Sequence, residues 1–152
     1  MVAVLAAAFL FWSPAFPQNR AIPRRFTCDG ANVSPPLRWQ APPRGTRAFA
    51  IELIDLDSPA GTFTHWTLWN LPASARGVPA HVRWRLQGRN SFGRIGYGGP
   101  CPPAGRAHHY VFELHTLKRK LSLARGASPR QFVLALNGRI VASRPLGGTY
   151  RR

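Results

Sequence analysis

The chain has 152 residues and a formal net charge of +16, because 21 Lys and Arg stand against only 5 Asp and Glu. This length suits one domain with a hydrophobic core, and the 45% hydrophobic content excludes a disordered chain. Two cysteines exclude a dense disulfide framework, while 15 Pro and 14 Gly favour short strands joined by turns over a helical bundle.

The positive charge is scattered along the chain, whereas nucleic-acid-binding proteins usually concentrate their cations on one face or element. The scatter therefore predicts weak, nonspecific contact with anionic membranes or nucleic acid. Carboxylate chemistry is restricted to the few acids present, which are Asp29, Glu52, Asp55, Asp57 and Glu113.

The chain opens on an apolar stretch, Met1 to Trp12, which is too short for a membrane-spanning helix of about 20 residues. We assign residues 1–9 to an N-terminal extension and residues 10–152 to a single domain. The extension is either a remnant of a signal peptide that lacks its basic region or a ragged start to the first strand. A signal-peptide remnant would mean that the protein is exported. We therefore favour a periplasmic or secreted location and leave a cytoplasmic one open.

Alternation of apolar and polar side chains predicts most of the strands that follow a proline-containing turn at Ser13–Pro23. In one of them, Phe49, Ile51 and Leu53 share the face that is expected to be buried. The predicted strands are Leu37–Trp39, Arg47–Asp55, Thr64–Leu71, Val82–Leu86 and His108–Leu117.

One helix is predicted after these strands. Ser128 is a good N-cap, Pro129 suits the first helical position and Gln131 completes a capping box. The apolar stripe of this helix would consist of Phe132, Val133, Leu136 and Ile140. The whole pattern predicts a mainly β fold with one or two short helices.

Asp55 and Asp57 form an Asp-x-Asp-x-Pro unit at the end of a predicted strand. If the strand stays regular, both carboxylates continue the buried face of Leu53 and need partners or a polar cavity. The alternative is a simple turn, which Asp and Pro both favour.

His65 opens the strand after this unit, and His108 shares the inward phase of a third strand. The Gly- and Pro-rich segment Gly93–Gly105 is too irregular for regular secondary structure and is expected to wall a site. Together with the two aspartates, these elements could build a metal site, an acid–base pair or an anion-binding cavity. By contrast, His109 and His115 fall on the opposite phase and are predicted to lie at the surface.

These segments, taken together, resemble the phosphatidylethanolamine-binding protein family, in its bacterial Raf-kinase-inhibitor-like branch. Their order and spacing extend over residues 10–150, and their joint occurrence is far more specific than DxDxP alone. The matching segments are FTCDGANVSPPLRW from Phe26, DLDSP from Asp55, HW from His65, QGRNSFG from Gln87, GYGGPCPPAG from Gly96 and HHY from His108.

The resemblance implies a two-sheet antiparallel β-sandwich with a small pocket for a phosphate-like anion or a phospholipid head group. It further implies a disulfide between Cys28 and Cys101, a non-enzymatic module without cofactor or metal, and a protein kinase or protease as partner. The ligand-binding residues that it implies are Asp55, Asp57, His65, Gly99, Pro100, His108 and Tyr110.

Two other functions stay open at this point. The Asp and His residues could serve a hydrolase, or the chain could be a basic membrane- or nucleic-acid-interaction protein in which the pocket is incidental. The sequence leaves the oligomeric state open.

Overall fold

The computed structural model describes residues 7–152, which form two β-sheets and a short helix. Among these residues, the only α-helix is α1 (Pro129–Leu136), and a 3-10 turn spans Arg24–Phe26. The strands are β1 (Leu10–Trp12), β2 (Arg20–Ala21), β3 (Leu37–Gln40), β4 (Ala48–Asp55), β5 (Phe63–Pro72), β6 (Gly77–Val78), β7 (His108–Leu117) and β8 (Ile140–Tyr150).

The strands pair in a small and a large sheet. The small sheet has the order β1-β3-β6 and the large one the order β2-β8-β7-β4-β5. All pairs in both sheets are antiparallel except β2 with β8. The predicted mainly β, two-sheet sandwich is therefore confirmed.

The main core consists of side chains from both sheets. Phe49, Ile51 and Leu53 of β4 are fully buried there, as their alternation predicts. Trp39 of β3 packs on Phe49 with ring centroids 5.1 Å apart, which joins the small sheet to the large one. The same inward phase continues to Asp55 and so places a carboxylate at the end of an apolar face.

A second, smaller core lies on the outer face of the large sheet, under α1. There, Phe132 and Leu136 of the helix pack against Ala48, Ala50 and Trp69. The helix covers only the part of the sheet near the start of β4. The rest of the outer face stays without a covering element among the described residues, which matters for the surface described below.

All three predicted signals at the start of α1 are confirmed, including Pro129 as its first residue. The Ser128 side chain accepts from the backbone N–H of Gln131, and the Gln131 side chain accepts from the backbone N–H of Ser128. The helix ends earlier than predicted because Gly138 adopts a φ of +69°, a left-handed conformation that stops a helix. Ile140 therefore belongs to β8, and its assignment to the helical stripe is wrong.

Two other expectations need correction, and one strand was missed. Val82–Leu86 alternates in burial but forms no strand, because it meets no continuous ladder partner. His115 is 6% exposed rather than at the surface, since its ring lies between Ser143 and Glu52 on the outer face of the large sheet. The long strand β8 was not predicted.

The described chain begins beside β8. Phe9 is buried in the main core, its carbonyl accepts from Arg144 Nε at 3.0 Å, and the Arg144 guanidinium lies over its ring. Residues 1–6, which hold most of the predicted extension, lie outside the described residues. No helix among residues 7–152 is long and apolar enough to cross a bilayer.

Candidate functional site

A cavity of about 170 Å³ opens at the edge of the large sheet where β4 ends and β5 and β7 begin. Three of the predicted site residues lie in its wall, namely Asp55, His65 and His108. The rest of the wall is mainly apolar and consists of Ser58, Pro59, Phe63, Phe92, Cys101, Pro102 and Pro103.

Asp55 and His108 form a buried pair in this wall. His108 Nδ1 donates to Asp55 Oδ2 over 2.8 Å, and both side chains are less than 10% exposed. The other carboxylate oxygen, Oδ1, accepts the backbone N–H of Asp57 at 2.8 Å. Because Nδ1 is held by the carboxylate, Nε2 is the His108 nitrogen that remains for a ligand.

His65 is also buried, and its ring orientation is fixed. Its Nδ1 donates to the carbonyl of Gly98 over 2.7 Å, and the ring packs against Phe63, Phe92 and Tyr110. Burial lowers the pKa of His65 below its usual 6.5, a shift that the Gly98 carbonyl and the Asp55 charge only partly oppose. His65 is therefore neutral at pH 7.

The lowered pKa of His65 predicts a loss of stability in mild acid. The unfolded chain takes up a proton near pH 6.5, whereas folded His65 resists it. The free energy of unfolding should thus fall as the pH drops from about 6.5 towards the lower folded pKa. Urea denaturation at about pH 7.5 and pH 5.5 measures this fall.

His65→Gln is the matched comparison for this prediction, because glutamine can still donate to Gly98 but does not titrate. The variant should show a smaller difference between the two pH values than the wild type. An identical difference in both proteins would contradict the assignment.

Asp57 does not line the cavity in this structure. β4 ends at Asp55, so the alternation stops there, and the Asp57 carboxylate turns to the next histidine instead. Asp57 Oδ2 accepts both the backbone N–H of His109, at 2.6 Å, and its Nδ1, at 2.7 Å. These two bonds lower the pKa of Asp57. The two aspartates thus pair with two adjacent histidines, one buried and one exposed.

Gly99 and Pro100 position the loop behind the cavity wall rather than forming its surface. The Gly99 N–H donates to Asn32 Oδ1 at 2.8 Å, and the Pro100 carbonyl accepts the Cys28 N–H at 3.1 Å. A Cβ at Gly99 would clash with the Phe26 carbonyl oxygen. Only glycine therefore allows the loop to approach this closely.

A disulfide joins Cys28 to Cys101, the pairing that the resemblance implies. It connects the turn after Phe26 to the loop that carries Pro102 and Pro103 into the cavity wall. The covalent link and the bonds of Gly99 and Pro100 act on the same loop. The wall is consequently held in place before any ligand arrives.

Tyr110 lies next to the two cavity histidines. Its ring stacks on His108 and meets His65 edge-on, with centroids 6.4 and 5.3 Å away. Its buried hydroxyl has no hydrogen-bond partner among the described residues. Burial, and then the charges of Asp55 and Asp57, raise the pKa of Tyr110. The hydroxyl therefore keeps its proton and remains a donor without a partner.

Sequence reasoning missed the apolar walls and Ser58. Phe92 and Pro102 sit inside segments that the resemblance already quoted, but only the path of the loops shows that they line the cavity. Ser58 follows Asp57 directly, and its place in the wall depends on the turn after β4.

The cavity combines a buried acid, a neutral imidazole and a second imidazole with a free nitrogen, surrounded by apolar walls. This arrangement can accept a small polar ligand that carries both donors and acceptors. Over the described residues, no three His, Cys, Asp or Glu side chains converge to hold a metal ion.

The chain is similar in sequence to known proteins of one family. Residues 12–151 match the family model described as phosphatidylethanolamine-binding protein. A UPF0098 protein of Aquifex aeolicus is 41% identical over 150 residues, which cover 93% of this chain and 87% of the relative.

Two solved structures share the fold. The Escherichia coli protein YbcL, described as a new member of the mammalian PEBP family, superposes with a TM-score of 0.90 at 31% identity. The alignment covers 96% of this chain and 99% of YbcL. A homologue from Chlamydia trachomatis gives a TM-score of 0.89 at 33% identity, with 95% and 98% of the two chains covered.

Proposed function

This chain belongs to the phosphatidylethanolamine-binding protein family, and from that membership we propose that it is a non-enzymatic binding module for a small phosphate-bearing head group. The observation that carries the proposal is the buried Asp55–His108 pair beside neutral His65 in a small, pre-formed cavity.

The size of the cavity supports a head group rather than a whole lipid. Its volume of about 170 Å³ is below the roughly 300–1,000 Å³ typical of pockets for drug-sized ligands. Acyl chains would have to stay outside, whether in water or in a membrane. Free phosphate, phosphoethanolamine and the head group of a phospholipid would all present a phosphate group to the wall.

The charges of the wall support a ligand that carries both signs. A lone anion beside Asp55 would be repelled, so it needs the cationic form of His108 as donor through Nε2. An ammonium group could in turn approach the Asp55 carboxylate. Phosphoethanolamine satisfies both requirements.

A protein partner remains part of the proposal. The family resemblance predicts a kinase or a protease that the module inhibits or scaffolds. The head group would then occupy the cavity while the surrounding loops meet the partner. Purified kinases and proteases, assayed with this protein in the presence and absence of phosphoethanolamine, would test whether ligand binding in the cavity and inhibition of the partner are linked.

The test of ligand binding is calorimetric titration of the wild-type protein with phosphoethanolamine, inorganic phosphate and ethanolamine. We expect phosphoethanolamine to bind more tightly than either part alone. Absence of heat with all three would overturn the proposal.

Ser58 supports one alternative, a hydrolase that uses its hydroxyl beside the Asp55–His108 pair. Aryl esters and phosphate diesters, incubated with wild-type protein and with Ser58→Ala, distinguish the two functions. Turnover that the variant loses would replace the binding module by an enzyme.

A further inference from the structure

Large apolar side chains of α1 and of the start of β8 are exposed on the outer side of the large sheet, where no described residue covers them. Val133 and Leu134 of α1 are 57% and 61% exposed, and Ile140 at the start of β8 is 41% exposed. All three line one groove of about 450 Å³ between the helix and the sheet. Exposed apolar residues grouped in this way typically mark a contact surface.

Basic residues lie in the chain segments beside these apolar side chains, and Arg130 lines a neighbouring groove with Val133 and Leu134. The backbone N–H of Lys118 donates to the carbonyl of Arg139, the residue before Ile140, at 2.9 Å. The Arg47 N–H donates at 2.7 Å to the carbonyl of Leu117, which pairs with Ile140. We call the set the basic–apolar face: Val133, Leu134 and Ile140 with Arg47, Lys118, Arg119, Lys120, Arg130 and Arg139.

The cations of the basic–apolar face are free to meet an anionic partner. None of their side chains forms an ion pair or a hydrogen bond with another described residue. Glu52 lines the groove and accepts from His115 Nε2 at 3.0 Å, and Glu113 lies opposite Glu52 on the outer face of the sheet. Neither acid forms an ion pair with a cation of the face among the described residues. The face therefore presents unneutralised positive charge next to exposed apolar groups.

We propose that the basic–apolar face docks on the surface of an anionic lipid bilayer. Lys and Arg around a short apolar stripe are the combination that binds such interfaces, because the cations meet lipid phosphates and the apolar groups enter the head-group boundary. A second copy of the chain fits poorly, since two molecules of charge +16 repel each other. Nucleic acid would use the cations but not Val133, Leu134 and Ile140.

This face and the cavity lie on opposite faces of the large sheet. Val133 and Leu134 line grooves with Glu52 and Ile54, which point to the outer face of β4, whereas Asp55 points to the inner face and lines the cavity. The groove and the cavity share no lining residue. Membrane docking and ligand binding are accordingly separable by mutation.

Sedimentation with vesicles tests the docking. The probes are phosphatidylcholine vesicles with and without about one-third phosphatidylglycerol. Lys118→Gln/Arg119→Gln/Lys120→Gln should bind the anionic vesicles about 100-fold more weakly, at about fivefold per lost cation. Val133→Ser/Leu134→Ser keeps the charge and should bind about tenfold more weakly.

A charge-matched triple variant on another surface, Arg83→Gln/Arg85→Gln/Arg94→Gln, is the control, because these three arginines are also exposed. It should stay within about threefold of the wild type. Equal losses in both triple variants would overturn the proposal in favour of diffuse charge. Duplex DNA is the second probe. If Lys118→Gln/Arg119→Gln/Lys120→Gln weakened binding to both DNA and vesicles while Val133→Ser/Leu134→Ser weakened neither, the proposal would also be overturned.

Discussion

Replacing Cys28 and Cys101 together by serine is expected to lower the free energy of unfolding by about 4 kcal/mol. The two cysteines are 73 residues apart, and a cross-link of that span removes much of the entropy of the unfolded chain. Urea or guanidinium denaturation of the two oxidised proteins, wild type and double variant, measures the difference.

Reduction of the wild type serves as the control for this prediction, since it breaks the same bond without changing the sequence. The reduced protein and the double variant should unfold at similar denaturant concentrations. Equal stability of the oxidised wild type and the variant would contradict the prediction. So would two alkylatable thiols in the oxidised, folded protein.

His108→Ala is expected to cost about 3 kcal/mol of stability. The substitution leaves Asp55 buried without its hydrogen-bond partner, and an unpaired buried carboxylate costs far more than the pair itself contributes. His109→Ala is the matched control on the next residue. It breaks the Asp57 pair, whose histidine is 65% exposed, and should cost clearly less stability than His108→Ala because solvent screens an exposed pair.

Chemical denaturation near neutral pH compares the two alanine variants. Similar losses in both would show that the Asp55–His108 pair has no special role in the folded protein. A larger loss of stability in His109→Ala than in His108→Ala would contradict the assignment of the Asp55–His108 pair as the buried one and the Asp57–His109 pair as the exposed one.

The sequence predicts the central strands well because their burial follows the side-chain period of two. Phe49, Ile51 and Leu53 are inside, and β7 has the predicted limits, His108–Leu117. The start of α1 is predictable for a similar reason, since its capping box is purely local. Local patterns of this kind require no knowledge of the tertiary structure.

The errors arise where tertiary contacts decide. β8 contains Pro145, Gly147 and Gly148 and shows no clean alternation, yet it pairs with β7 along its length. Val82–Leu86 shows the alternation but finds no ladder. A strand needs a partner strand. The local sequence pattern indicates neither that β8 finds a partner nor that Val82–Leu86 lacks one.

The same division holds in the candidate site. Asp55, His65 and His108 meet in one cavity because each lies at the edge of a predicted strand, on its inward face or at its start. Asp57 departs from the predicted face because the strand ends two residues earlier. The path of the loop that brings in Phe92 and Pro102 depends on long-range bonds that no local pattern contains.

The most direct test of the proposed function is a calorimetric titration of phosphoethanolamine into wild type, His108→Gln and His109→Gln at neutral pH. Glutamine can still donate to the aspartate in each case, so both folds should survive. We expect His108→Gln to lose about 1–3 kcal/mol of binding free energy, the scale for losing a charged hydrogen-bond partner, and His109→Gln to bind like the wild type. No measurable binding by the wild type, or equal weakening in both variants, would contradict the account.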